Sequence, residues 1–334
     1  MDRDGCKQRP VSAGAHSRAP APLKSHVDLR LESNTPQGRE GVGLTDSDRA
    51  VVGNVIEDAG FLVRPEGSLF VVVHRPADGA ISGLLTVCGS LFAEQHTDYR
   101  REVRLARTLA SAGVAVARFH YRGVGNSGPG SASLDAFSRD AGDVTLAVAR
   151  AASLSRIAFL GVGMGSLIAA RALRDHPDAP LLLWKPVLDG TKFFRDFFRA
   201  RSVAATRIGG VRPVPTEDLL ARLVRQGQID VMGFTFAASL YQSLNGSHLA
   251  QMFPPYPRSI LVQPFRGGRA AGLEQLVADW KKSGSRVDLE PVKLAEDPWF
   301  IPDGAEVAAS ILATEEQLIT RVRDWLTGVW RIDE

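Results

Sequence analysis

Leu160-Gly161-Val162-Gly163-Met164-Gly165-Ser166-Leu167 is the stretch on which the reading of this chain turns. The apolar run Ile157-Ala158-Phe159-Leu160 precedes it and a helical pattern over Ser166–Arg174 follows. Alternating glycines between a buried strand and a helix mark a turn crowded by its neighbours, where the backbone takes angles that side chains resist. A dinucleotide site is one reading of such a turn. Its fingerprint needs Gly-x-Gly-x-x-Gly, which puts the third glycine at Ser166, and an acidic residue ending the next strand, where Trp184-Lys185 stand. The turn also comes late rather than in the first crossover, so a nicotinamide or flavin site is set aside and no cofactor is expected.

Outward from this turn, strands and helices alternate. Upstream, Phe61–His74 reads as two strands turned at Pro65-Glu66-Gly67. Gly83–Cys88 is a buried strand, and a helix around Tyr99–Ala112 sets Tyr99, Val103, Ala106 and Leu109 on one face. Val114–Phe119 is a strand, and Leu134–Ser153 a helix. Downstream, Leu181–Trp184, Ile260–Val262 and Val287–Leu289 are strands and Leu273–Lys282 is a helix. The last helix, Thr314–Trp330, aligns Leu318, Val322, Trp325 and Val329. The alternation predicts an α/β fold with a mostly parallel central sheet flanked by helices, assigned to residues 55–190 and 258–334. Over 191–257 the alternation breaks in a segment too long for a bare loop, which predicts a helical cap insertion. Residues 1–50, rich in Arg, Ser, Pro and Gly, are predicted to be a disordered tail that leaves His16 and His26 solvated.

Composition narrows the function classes. The 334 residues, 44% hydrophobic, suffice for one large domain with an insertion. Forty Lys and Arg against 37 Asp and Glu leave a net charge of +3 with no basic stripe, which argues against a nucleic-acid partner. The longest apolar runs are strand-sized, so no membrane span is expected. Residues 1–30 lack the apolar core of a secretory leader, and a cytoplasmic location is expected. Two cysteines, Cys6 and Cys88, make neither a disulfide framework nor a metal site.

Three junctions resemble those of the α/β-hydrolase fold over roughly residues 60–330. Cys88-Gly89-Ser90-Leu91 follows a buried strand where many members carry His-Gly. Phe119-His120-Tyr121-Arg122-Gly123-Val124-Gly125-Asn126-Ser127-Gly128 resembles the Asp-x-Arg-Gly-x-Gly-x-Ser loop, with His120 in place of Asp. The third junction is the glycine turn, at the place of the nucleophile elbow. Phe92–Arg101 and Leu183–Gly190 are also similar to segments of hydrolase-like proteins of bacterial exosortase systems. The resemblance implies backbone oxyanion donors at Ser90, Leu91 and Met164, and a pocket including Cys88, His96, His120, Ser127 and Ser166.

The elbow pattern is Gly-x-Ser-x-Gly. Here Gly161 and Gly165 supply the flanks, but the nucleophile position holds Gly163, which has no atom to form an acyl intermediate. Ser166 reads as a small residue starting a helix, Cys88 as a buried thiol, and Ser90 and Ser127 as loop hydroxyls outside the elbow. The late-strand stretch Ser259–Phe265 is followed by Arg266-Gly267-Gly268-Arg269, and no carboxylate occurs until Glu274. The position of the base holds Asp297, within Glu296-Asp297-Pro298-Trp299-Phe300, and no histidine follows His248. Asp189 reads as a turn residue, and His74 and His176 as structural histidines. His96 and His120 lie at strand ends on the ligand-binding side, without metal-ligand spacing.

These residues predict a degenerate serine hydrolase retained to bind a small apolar or acyl ligand or a protein partner, without a metal. The first alternative is an active esterase, thioesterase or acyltransferase-like hydrolase with a displaced nucleophile. The second is a scaffold subunit docking through the aromatic face Phe193–Phe198.

Overall fold

Leu84–Cys88 (β4) is apolar except at Thr86, whose hydroxyl shares a hydrogen bond with Thr145, and every one of its side chains is buried. That pattern belongs to an interior parallel strand covered on both faces. The computed structural model describes residues 44–209, 214–231, 233–252, 258–266, 272–295 and 305–332. Upstream of β4 lie β1 (Leu44–Val52), β2 (Val55–Leu62) and β3 (Leu69–Pro76). Downstream come α1 (Ala93–Ser111), β5 (Ala115–Phe119), α2 (Leu134–Ala151), β6 (Ile157–Val162), α3 (Gly165–Ala172) and β7 (Leu181–Trp184). The chain then forms α4 (Gly190–Gly209), α5 (Thr216–Gln226), a β8 (Gln228–Val231) and β9 (Phe234–Ala237) hairpin, α6 (Ala238–Leu244) and α7 (Leu249–Met252). It closes with β10 (Ser259–Gln263), β11 (Phe265–Arg266), α8 (Leu273–Lys282), β12 (Arg286–Leu289), β13 (Val292–Ala295) and α9 (Ala305–Ile332).

Nine strands form one sheet in the order β1-β2-β3-β5-β4-β6-β7-β10-β12. β1, β2, β3 and β5 pair antiparallel at one side, and the strands from β5 to β12 pair parallel. One face packs against α1 and α9 around Leu105, Leu109, Val322 and Trp325. The other packs against α2, α3, α8 and the segment between β7 and β10. Both faces of a parallel sheet are thus dry, as right-handed crossovers require.

Three expectations are corrected. Residues 44–50, assigned to the tail, form β1. Asp58, 1% exposed, accepts from Arg49 of β1 at 2.5 Å and from Arg75 of β3 at 2.8 Å. A polar segment therefore enters the sheet through cross-strand ion pairs rather than through apolar burial. The rest of the tail, residues 1–43 with Cys6, His16 and His26, lies outside the described residues. The insertion is not purely helical, because β8 and β9 stand within it. Finally, α1 buries Asp98, Arg101, Glu102, Leu105 and Leu109, whereas Tyr99 is 40% exposed. Its buried face carries charge, so hydrophobic periodicity misplaces it.

Candidate functional site at the ends of β4, β6 and β7

β4 leaves through α1 toward β5, while β6 leaves through α3 toward β7 on the opposite face. Ligands in open α/β sheets bind in the crevice such a divergence opens. Each strand end here carries a positive φ: Phe92 at +59°, Gly163 at +54° and Lys185 at +40°. For Phe92 and Lys185 this conformation costs on the order of 1–3 kcal/mol each, and such strain concentrates at functional sites.

The glycine turn has the geometry of an elbow. β6 stops at Val162, the Gly163 N–H donates to the Trp184 carbonyl at 3.0 Å, and α3 starts at Gly165. A Cβ on Gly165 would stand 1.9 Å from the Cys88 carbonyl oxygen, and one on Gly161 would stand 2.5 Å from Ser166 Cα. Packing of α3 against β4 and β6 therefore demands both flanking glycines. A Cβ on Gly163 would meet Glu94 Oε2 at 2.6 Å, Ser90 Cβ at 3.5 Å and Lys185 Cε at 3.6 Å.

Those three neighbours belong to one polar cluster. Lys185 Nζ lies 2.8 Å from Asp98 Oδ2 and 4.0 Å from Glu94 Oε2. The Ser90 hydroxyl donates to Asp98 Oδ2 at 2.8 Å, and Arg101 donates to Asp98 Oδ1 at 3.2 Å. Asp98 is fully buried, so these donors compensate a carboxylate taken out of water. One turn further, burial pushes the Glu102 carboxyl up to about 7, against the pull of Arg118. The Ser90 backbone N–H, an expected oxyanion donor, is engaged by Glu102. Leu91, in the turn after β4, and Met164, next to Gly163 after β6, are both buried.

The remaining sequence-predicted residues are dispersed. The Ser166 hydroxyl donates to the Gly163 carbonyl at 2.7 Å and accepts from the Val187 N–H at 3.0 Å, tying the elbow to the chain after β7. The Cys88 thiol is buried, and burial, with Glu102 nearby, raises its pKa. Ser127 donates to the His120 carbonyl at 2.6 Å and accepts from the Phe70 N–H at 2.9 Å. His120 Nδ1 accepts from the Asn126 N–H at 3.0 Å, and burial, with Arg118 second, lowers its pKa. His120 lines a cavity beside Glu102 that His96 does not; His96 is exposed, with its ring 6.0 Å from that of Phe234. Asp189 accepts from the Lys192 N–H at 2.9 Å, a turn-type contact at the start of α4. His176 packs against Phe159, and His74 is buried beside Glu57. Asp297, Gly267 and Gly268 lie outside the described residues.

The aromatic segment expected as a docking face turns inward. Phe194 and Phe198 are about fully buried and Phe197 nearly so. They surround Phe236, whose ring stacks on Phe92 at 4.2 Å. Apolar packing of the insertion onto the β4–α1 junction removes this face from solvent, so it is no exposed patch.

Sequence reasoning missed Lys185, Asp98, Glu94, Glu102 and Arg118. A lysine directly after the buried strand Leu181–Trp184 was the one available signal, since charge at the end of a dry strand needs a partner. Asp98 and Glu102 stand four residues apart in a run that reads as a solvated helix face, and nothing local distinguishes them.

Among the described residues no helix is long and apolar enough to cross a membrane. A family model described as serine aminopeptidase, S33, matches residues 94–226, less than half of the chain. No curated protein sequence matches the chain. Among solved structures, Est1E from Butyrivibrio proteoclasticus, determined with ferulic acid bound, is 16% identical, with a TM-score of 0.52 over 78% of this chain and 98% of that one. A protein described only as a hydrolase, from Agrobacterium vitis, is 16% identical, with a TM-score of 0.50 over 81% of this chain and 99% of that one. At such identities the likeness bears on the fold alone.

Proposed function

The chain has the α/β-hydrolase fold, and from that premise we propose that it is a degenerate serine hydrolase, retained to bind a small apolar or acyl ligand. The observation that carries this reading is the apex of the elbow. Gly163 offers no nucleophile, and the space a side chain would enter is bordered by Glu94, Ser90 and Lys185. The hydroxyls that would have to replace a nucleophile are committed elsewhere: Ser90 to Asp98, Ser127 to the His120 carbonyl, and Ser166 to the Gly163 carbonyl. Lys185 Nζ is engaged by Asp98 Oδ2 at 2.8 Å.

Fluorophosphonate labelling, run beside hydrolysis of p-nitrophenyl esters of several chain lengths, tests the reading. The expected result is no label and no turnover above a heat-treated control. Labelling that disappears in Ser90→Ala or Ser127→Ala would overturn it in favour of a displaced nucleophile.

A further inference from the structure

A second polar feature adjoins the elbow and is not used by it. The cavity between α1, β3 and β5 shares Gly89 and Ser90 with the elbow but is lined by neither Gly163 nor Lys185. At its base stand Glu102 and Arg118, only 5% and 6% exposed. Glu102 Oε1 and Arg118 Nε both make no hydrogen bond, and Arg118 Nε lies 3.9 Å from Glu102 Oε2, too far to donate to it. Two buried charged groups side by side with unsatisfied atoms are costly unless a third group completes them. The Arg118 guanidinium lies over the Tyr99 ring at 4.3 Å, which fixes its plane and leaves its N–H edge for a planar acceptor. Half-buried Phe70, His120, Val124 and Gln95 also line it.

We propose that this cavity takes the carboxylate of a small apolar acid, held between the Arg118 guanidinium and the Glu102 carboxyl. A carboxylate accepts from the guanidinium edge and from the Glu102 O–H at once, while the apolar remainder lies toward Phe70 and Val124. The cavity, about 20 Å³, admits only a group of a few atoms, which a carboxylate is. Ionised Glu102 would leave Arg118 neutralised and a like charge facing the ligand, so binding takes up a proton wherever Glu102 has lost its own. The charged and titratable groups around Glu102 are Asp98 on its own helix, Arg118 on β5, Lys185 after β7, Cys88 on β4 and Tyr121 after β5. His74 on β3 faces Arg118 from the other side, paired with Glu57 of β2, and Glu315 of α9 is engaged by Arg101. Burial pushes Cys88 and Tyr121 above their ordinary values and His74 down to about 4, so these three are neutral between pH 6 and 8, and burial also lowers His120. The site is independent of whether the elbow is inert, and its failure would leave that reading untouched.

Calorimetric titration of the full chain with butyrate and with benzoate, at pH 6 and pH 8, tests the proposal. Affinity is expected to fall roughly tenfold from pH 6 to pH 8, the loss set by a carboxyl ionising near 7. Heats in two buffers of different ionisation enthalpy should report uptake of close to one proton at pH 8. Glu102→Gln keeps a neutral donor and should bind equally at both pH values, and Arg118→Met should lose binding. Butyramide, lacking the charge, should not compete. Absence of binding to the unmodified chain, an affinity independent of pH, or a pH dependence that persists in Glu102→Gln would each overturn the proposal. Thermal melts accompany the variants. If Arg118→Met does not fold, the Glu102→Gln comparison decides alone.

Discussion

Replacing Glu102 by glutamine should make the protein more stable, and only at the alkaline end of its range. Burial raises this carboxyl from an ordinary 4.5 to about 7. A folded value above the unfolded one means that the native state holds more protons between those two pH values. The stability this lends is complete below 4.5 and is lost as pH rises through about 7. Two and a half pH intervals at about 1.4 kcal/mol each come to roughly 3 kcal/mol. Glutamine has the same shape and no charge to lose. The variant should therefore match the parent near pH 4 and exceed it by about 3 kcal/mol at pH 8. His74 sharpens the experiment, because burial, with Arg118 second, pushes it down from 6.5 to about 4. Its stabilisation is present above 6.5 and is lost as pH falls through 4, the opposite slope over nearly the same interval. In the parent these two slopes offset one another, and Glu102→Gln exposes the histidine's rise. Urea unfolding followed by tryptophan fluorescence from pH 4 to pH 8 measures the difference. A constant offset between the two proteins, or a variant that is the less stable at pH 8, would refute the assignment of a strained buried carboxyl.

Gly163→Ser should fold and still fail to hydrolyse p-nitrophenyl esters; turnover would show that an acid and a base had been overlooked. Gly163→Ala and Gly165→Ala should differ sharply in urea midpoint. The first meets the end of the Glu94 side chain and a strain of about 1–2 kcal/mol, whereas the second drives a methyl into the Cys88 carbonyl. Glu315, fully buried, accepts from Arg100, Arg101 and Arg104 and ties α9 to α1. Glu315→Gln should cost about 3–5 kcal/mol in urea unfolding, and a loss under 1 kcal/mol would show that the arginines find water instead. Cys88→Ser should leave the number of thiols that titrate in the native protein unchanged, because the buried thiol does not ionise.

Much of the fold was legible because parallel strands announce themselves. Leu181–Trp184 is an uninterrupted apolar run and Leu84–Cys88 is broken only by Thr86, and each became an interior strand buried at every position. The elbow was legible for a related reason. Glycines at 161 and 165 have a local cause, a helix pressed against two strands, and the clearances at both positions bear that out. β1 escaped notice because its stabilising partners, Asp58 and Arg75, lie on other strands. The β8–β9 hairpin was missed within a stretch taken as helical throughout.

What the sequence determined by itself was the order of elements, the crossovers and the glycine at the apex of the elbow, since each follows from spacing and side-chain type along a short stretch. Only the tertiary structure decided what surrounds that glycine. Lys185 arrives from the end of β7 to meet Ser90 and Glu94 of the β4–α1 junction, and Asp98 and Glu102 occupy a helix face whose composition reads as wet. Their burial depends on the sheet beneath them and on the groups across from them. Charge is held in a dry interior by partners distant in sequence, and distance in sequence is what a linear reading does not resolve.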